Sequence, residues 1–204
     1  MCKKLFNQLY KTFTAIFKPS YPTLEYTDLV FSSRTKVKNP TKLMIVAHPD
    51  DESIFGGEAL IAGSDWTVVC VTNASDAVRR EEFFQAMEFA GANYTILDHQ
   101  DNLANGRFHP HLLQTLGELL DEFPYTTVVT HNCKGEYGHI QHRSIHRMVR
   151  SLVGNHTLLV FGKRRGSAGM SDEKHQLLGL YRSQQGEIRK YRHLAEREIL
   201  KKPR

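Results

Sequence analysis

Cysteine is scarce: only Cys2, Cys70 and Cys133 occur in 204 residues, and they stand far apart. No Cys-x-x-Cys spacing is present, which excludes a zinc ribbon, a redox dithiol motif and a disulfide framework. Cys70 falls in an apolar run and reads as a core filler, and a reducing, cytoplasmic setting fits this usage. Long apolar runs are also missing. No stretch approaches the roughly 18 consecutive apolar residues that span a bilayer, and the first residues lack the apolar run and small-residue cleavage site of a signal peptide. No glycine-rich loop follows an apolar strand. Gly56-Gly57 comes after a run of acids without the spacing of a phosphate cradle, so a nucleotide-binding protein is disfavoured. Internal repeats and low-complexity segments are absent. Basic residues exceed acidic ones by only five and are scattered apart from two local concentrations, one at each end. That surplus points weakly to an anionic surface or substrate and away from a nucleic-acid module.

The composition, 40% hydrophobic and 24% charged, is that of a globular protein with one full-sized core. Residues 1–40 form a helix and linker, and residues 41–204 the main domain. Leu5, Phe6, Leu9, Tyr10, Phe13, Ile16 and Phe17 repeat at helical spacing among lysines, predicting an amphipathic basic helix that ends before Pro19. Through residues 3–18 that helix packs on the protein or a second subunit, or lies peripherally on an anionic membrane. Residues 19–40, with Pro19, Pro22 and Pro40, read as an irregular linker.

From Leu43 onward, strand-like and helix-like segments alternate, predicting an α/β fold: a single Rossmann-like domain with a mainly parallel sheet flanked by helices. Strands are expected at 43–47, 67–72, 94–97, 127–131 and 157–161. Helices are expected at 54–61, 76–90, 109–123, 138–152, 174–182 and 188–201, with Gly91 ending the second of them.

The first strand runs into Ala47-His48-Pro49-Asp50-Asp51-Glu52. A buried parallel strand delivers the loop at its carboxyl end into the crevice where open α/β sheets bind ligands. His48 and Asp51, three apart across a proline-stiffened turn, can converge on one cation, with Asp50 close by and not necessarily bound. The fourth strand ends similarly, at His131, and opens into Asn132-Cys133-Lys134-Gly135-Glu136-Tyr137-Gly138-His139-Ile140-Gln141-His142. On the first turn of a helix, His139 and His142 share a face, so one of them can complete the metal site, with His146 as competitor. Two nitrogens and a carboxylate suit catalytic Zn2+, although another divalent first-row metal would accept the same ligands.

These two strings resemble the signatures of the LmbE-like (PIG-L) family of metal-dependent de-N-acetylases, which read Ala-His-Pro-Asp-Asp-Glu and Tyr-Gly-His-x-x-His. The resemblance covers most of residues 42–184. It implies zinc on His48, Asp51 and His142, a general base at Asp50 and an electrostatic role for His139. It also implies hydrolysis of an N-acetyl group from an N-acetylglucosamine-type sugar or glycoconjugate. Arg79 and Asp101 are the implied substrate contacts. The Tyr137 hydroxyl is a further candidate at the substrate, and Glu52 is expected to orient a ligand. Arg79 could instead form an ion pair with Glu82. Where the family often has His-Pro-Asp-His, this chain has Gln141, which can hydrogen-bond but supplies no charge to His139. The competing readings are a metal-dependent hydrolase of another amide or ester, and a non-catalytic sugar-binding relative.

Overall fold

The structure, a computed structural model, describes residues 26–100, 108, 110–166 and 168–203. The expected helix of residues 3–18 and the candidate Asp101 lie outside the described residues.

Seven strands form one mixed sheet: β1 (Tyr26–Ser33), β2 (Lys42–Val46), β3 (Trp66–Cys70), β4 (Asn93–His99), β5 (Thr127–Thr130), β6 (Thr157–Lys163) and β7 (Glu198–Lys201). Their order is β1-β4-β3-β2-β5-β6-β7. The five inner strands run parallel, and β1 and β7 pair antiparallel at the edges. The parallel strands are rich in valine, isoleucine and leucine and are covered on both faces, as such strands must be.

The helices are α1 (Asp51–Ala62), α2 (Ala77–Ala90), α3 (His111–Leu120), the single turn α4 (Gly135–Gly138), α5 (Ile140–Leu152), α6 (Asp172–Gly179) and α7 (Gln185–Ala195), with a 3-10 turn at Arg182–Gln184. They bury two cores. One holds Met44, Phe55, Phe83, Met87, Phe161 and Tyr181. The other, on the opposite face, includes Ile45, Val69, Leu112, Leu116, Ile145 and Val149. Asp76 caps α2 by accepting from the amides of Val78 and Arg79, and Gly91 ends it at φ 66°.

Two segments depart from the sequence expectation. Residues 26–33, inside the expected linker, form edge strand β1, and residues 198–201, expected to be helical, form edge strand β7. Both are made by long-range pairing, with β4 and β6 respectively, which local periodicity does not encode.

The chain runs outward from β2 through β3 to β4, then returns to the other side of β2 for β5. The order therefore reverses between β2 and β5, and at such a switch point the loops diverge and leave a crevice. The loops that leave β2 and β5 carry His48 and His131, so topology alone brings both histidine-bearing strings to one crevice.

A buried ion pair braces α1 behind that crevice. Lys174 is fully buried, and its ammonium donates to Ile54 O at 3.2 Å, Ala195 O at 3.0 Å and the Glu198 carboxylate. Glu198 also accepts from the Glu58 and Ala59 amides, tying β7 to α1. Removing one partner leaves an uncompensated buried charge, so Lys174→Met is expected to lower unfolding free energy by about 3 kcal/mol in urea titration. Adding Glu198→Gln should return part of it. A loss below about 1 kcal/mol would show that the pair does not brace the fold.

Candidate active site

The turn after β2 is unusual in its backbone. Asp50 has φ 110°, a conformation rare for non-glycine residues, and it directly precedes α1. Its carbonyl accepts from the Ser53 and Ile54 amides, its amide donates to Glu52 Oε2 at 3.2 Å, and Arg79 Nη2 donates to Pro49 O at 2.8 Å. These bonds hold the strained turn in place. Arg79 Nη2 also lies 3.9 Å from Asp50 Oδ2. The alternative Arg79–Glu82 pair is not formed: Glu82 instead accepts from the amide and hydroxyl of Ser183.

Asp51 stands between the histidines. Its Oδ2 accepts from the His48 amide at 2.8 Å and lies 3.3 Å from His48 Nδ1, and its Oδ1 lies 3.3 Å from His142 Nε2. Burial works against its charge, yet the charge of His142 and the close approach of the His142 and His48 rings hold its carboxyl well below the ordinary range.

Glu136 sets the orientation of the imidazoles, a role that its sequence context does not disclose. Its Oε2 accepts from His131 Nδ1 at 2.9 Å and from His142 Nδ1 at 2.7 Å, and its Oε1 accepts from the Asn132 amide. Burial opposes this charge, but the two imidazoles outweigh it and lower the carboxyl to about 2. The two rings stack at 3.8 Å. Glu136 itself has φ 55°, a second strained residue in the site.

The hydrogen bonds decide which nitrogens remain. His131 Nε2 accepts from the Ala47 amide at 3.0 Å, so its lone pair is committed and its Nδ1 carries the proton. Burial and the charge of His142 keep this ring neutral by lowering its pKa. In His142, Nδ1 donates to Glu136, while Nε2 is buried without a hydrogen-bond partner. An orphaned imidazole nitrogen facing a carboxylate is suited to bind a metal. The competitor His146 lines a different cavity and belongs to neither group of described residues whose ligand atoms come together.

Among the described residues, two triads bring their ligand atoms within 4.8 Å of one another: His48–His139–His142 and Asp51–His131–His142. The expected trio of His48, Asp51 and His142 is neither of these: it takes His48 from the first and Asp51 from the second, with His142 common to both. Ligands about 2.0–2.1 Å from a tetrahedral ion sit about 3.3–3.4 Å apart; Asp51 lies at that distance from each ring, but through different oxygens, Oδ2 to His48 Nδ1 and Oδ1 to His142 Nε2, both at 3.3 Å. These residues could therefore hold a first-row divalent ion.

The remaining candidates form the mouth. His48, Asp50, Arg79, Tyr137 and His139 line one cavity of about 290 Å3, together with Asn73, Gln184 at the end of the 3-10 turn, and Glu187 and Tyr191 of α7. His139 is not on a helical turn as expected; it is the extended residue preceding α5, and its ring centroid lies 4.3 Å from that of His142. Burial and the charges of His142 and His48 lower it to about 4, so it is a neutral imidazole at pH 7. Gln141 does not reach it: the glutamine side chain is fully buried, with both amide atoms unpartnered. Burial, then Asp51, raises Asp50 well above the carboxylate range, with Arg79 opposing. Burial and the Asp51 charge also raise the Tyr137 phenol. Tyr137 stacks on Tyr191 at 3.9 Å, a contact between residues far apart in the chain that no local motif signals. Glu52, expected to orient a ligand, instead accepts from Tyr181 Oη at 2.6 Å and from Ser53, and so supports the Asp50 turn.

Fold and site together define an α/β protein with a histidine–carboxylate centre at its topological switch point. Residues 43–153 match the family model PIG-L, described as GlcNAc-PI de-N-acetylase, and the chain belongs to that family. An uncharacterized protein, L374, of Acanthamoeba polyphaga mimivirus is 35% identical over 162 residues, covering 69% of this chain and 72% of that protein. Among solved structures, the conserved protein TT1542 of Thermus thermophilus shares the fold with a TM-score of 0.62 at 16% identity, covering 81% of this chain and 95% of that one. The A40926 pseudoaglycone deacetylase Dbv21 does so with a TM-score of 0.55 at 15% identity, covering 74% and 85%.

Metal binding should track the Glu136 network. Glu136→Gln is expected to weaken divalent-ion affinity about 10- to 100-fold, as loss of a ligand-orienting carboxylate does, read by chelator competition. In the metal-free protein, burial disfavours a proton on His142, but Asp51 and Glu136 raise the ring to about 9. Since that proton must leave before Nε2 can bind a metal, apparent affinity should rise about tenfold per pH unit toward about pH 9 and then flatten. A flat profile would contradict the assignment of His142.

Proposed function

We propose that this chain is a zinc-dependent hydrolase that removes the acetyl group from an N-acetylglucosamine-type amino sugar or its conjugate, releasing acetate. The observation that carries the reading is the position of Asp50. Its carboxyl is buried in the same cavity as His48 and His139, and the residue immediately precedes Asp51 in a turn held by four hydrogen bonds. The family description and the deacetylase of like fold support the same reading.

His48, Asp51 and His142 would hold the ion. A divalent ion there supplies Lewis acidity, lowers the pKa of a water from 15.7 to about 7, and opposes the upward shift of Asp50. Asp50 takes the proton of the attacking water and, as the amine departs, returns one to nitrogen. Its place in the cavity beside Asp51 suits it to both tasks. His139 is neutral at pH 7 and so is a hydrogen-bonding group rather than a proton source for the amine. The Tyr137 phenol, held protonated by its raised pKa and stacked on Tyr191, donates to the oxyanion that develops on the acetyl oxygen. Arg79 anchors the turn through Pro49 O and faces the cavity as a substrate contact, and Asp101 is proposed as a second.

Acetate release from a panel of N-acetylated sugars tests the reading, with Asp50→Asn beside it. Asparagine tolerates positive φ better than most residues, so the turn should survive. The variant should retain metal and lose about 10^2- to 10^4-fold in kcat. His48→Ala should lose metal and activity together. Full activity of Asp50→Asn would remove the base from the mechanism. Release of a different carboxylate, from another amide or an ester, would replace the substrate class.

A further inference from the structure

A second cavity, of about 410 Å3, shares only Phe55 with the one that holds His48 and Asp50. It opens beyond the carboxyl ends of β5 and β6: Asn132 and Lys134 follow β5, Gly162 and Lys163 end β6, and Lys201 reaches in from β7. That edge of a parallel sheet is where α/β proteins place ligands. The interior is apolar at Phe55, Val160 and Leu194, and it includes His146, whose Nδ1 is engaged by His131 O.

Its charge is one-sided. Lys134, Lys163 and Lys201, all exposed, line its rim, and the one acidic residue among the described lining, Glu136, has its carboxylate occupied by His131, His142 and the Asn132 amide. The Asn132 side chain is occupied too, by Phe161 O and the Lys134 amide. Lys201 is seated rather than splayed: a Cβ on Gly162 would meet its Cε at 2.6 Å and its Nζ at 3.1 Å, so the missing side chain lets the lysine lie across the strand. Lysines act as point charges toward oxyanions, and their like charges around one space call for an anion among them.

We propose that this cavity is a second ligand site, which binds an amphiphilic anion: a phosphate monoester or carboxylate head among the three lysines, on a short apolar body resting against Phe55, Val160 and Leu194. The site is independent of the hydrolysis proposed above, and no turnover is needed to detect it.

Cys133 lines the cavity and is exposed, whereas Cys70 is buried, so in a Cys2→Ser background Cys133 reports on occupancy. The metal-loaded full chain is labelled with uncharged N-ethylmaleimide in the presence of octyl phosphate, octanoate or neutral octyl glucoside, each below its micellar concentration, and binding of the same compounds is followed by calorimetry. At ten times Kd an anionic probe should slow labelling about tenfold by mass action. Octyl glucoside should not, and Lys163→Gln with Lys201→Gln should abolish both the protection and the heat. Protection by octyl phosphate alone identifies a phosphate head, and protection by both anions a general oxyanion site; either supports the proposal. It is overturned if neither anion binds, if the glucoside protects equally, or if the lysine substitutions leave binding unchanged.

Discussion

The site depends on one buried carboxylate that two imidazoles share. Glu136 fixes the proton of His131 and of His142 on Nδ1, and the opposite nitrogens then have different fates. On His131 that nitrogen accepts from the Ala47 backbone, locking the end of β5 to the end of β2. On His142 it is left buried without a hydrogen bond, 3.3 Å from Asp51 Oδ1. Without the Glu136 carboxylate, either ring could take the other tautomer, and the lone pair available to a cation would no longer be defined.

Such a centre is costly to fold. Asp50, Asp51, Glu52 and Glu136 are brought together with four histidines in surroundings where an unpaired charge is strongly destabilising. The four carboxyls are resolved in three ways. Glu136 and Asp51 stay ionised against imidazoles, Glu52 is raised by burial and accepts from Ser53 and Tyr181, and Asp50 is left with its pKa raised and only a distant arginine. Neighbouring acids pushed in opposite directions fit the proposed division between a proton-transferring Asp50 and a metal-ligating Asp51. The backbone carries the same mark, since Asp50 and Glu136 are two of the three non-glycine residues with positive φ among those described.

Much of this is legible in the sequence. Runs of β-branched and aliphatic residues mark the parallel strands, because a strand covered on both faces must be continuously apolar. The acid-rich string after β2 and the histidines after β5 point to one crevice, because parallel topology leaves few other places for them. The edge strands are not legible, since Glu198-Ile199-Leu200-Lys201 is as good a helical turn as a strand until β6 lies beside it. Glu136 escapes notice for a related reason. An acid between histidines in a loop is suggestive, but its function arises from a left-handed backbone that turns its carboxylate toward both rings, and composition does not report φ. The Lys174–Glu198 pair is joined only by the fold.

The central claim, that His48, Asp51 and His142 converge on a single ion while His131 does not touch it, is tested most directly by X-ray absorption spectroscopy of the zinc-loaded protein beside His142→Ala and His131→Gln. The account predicts two imidazole nitrogens at about 2.0 Å with carboxylate oxygen, one nitrogen fewer in His142→Ala, and an unchanged nitrogen count in His131→Gln. A wild-type shell with three imidazoles, or one that His142→Ala leaves intact, would contradict it.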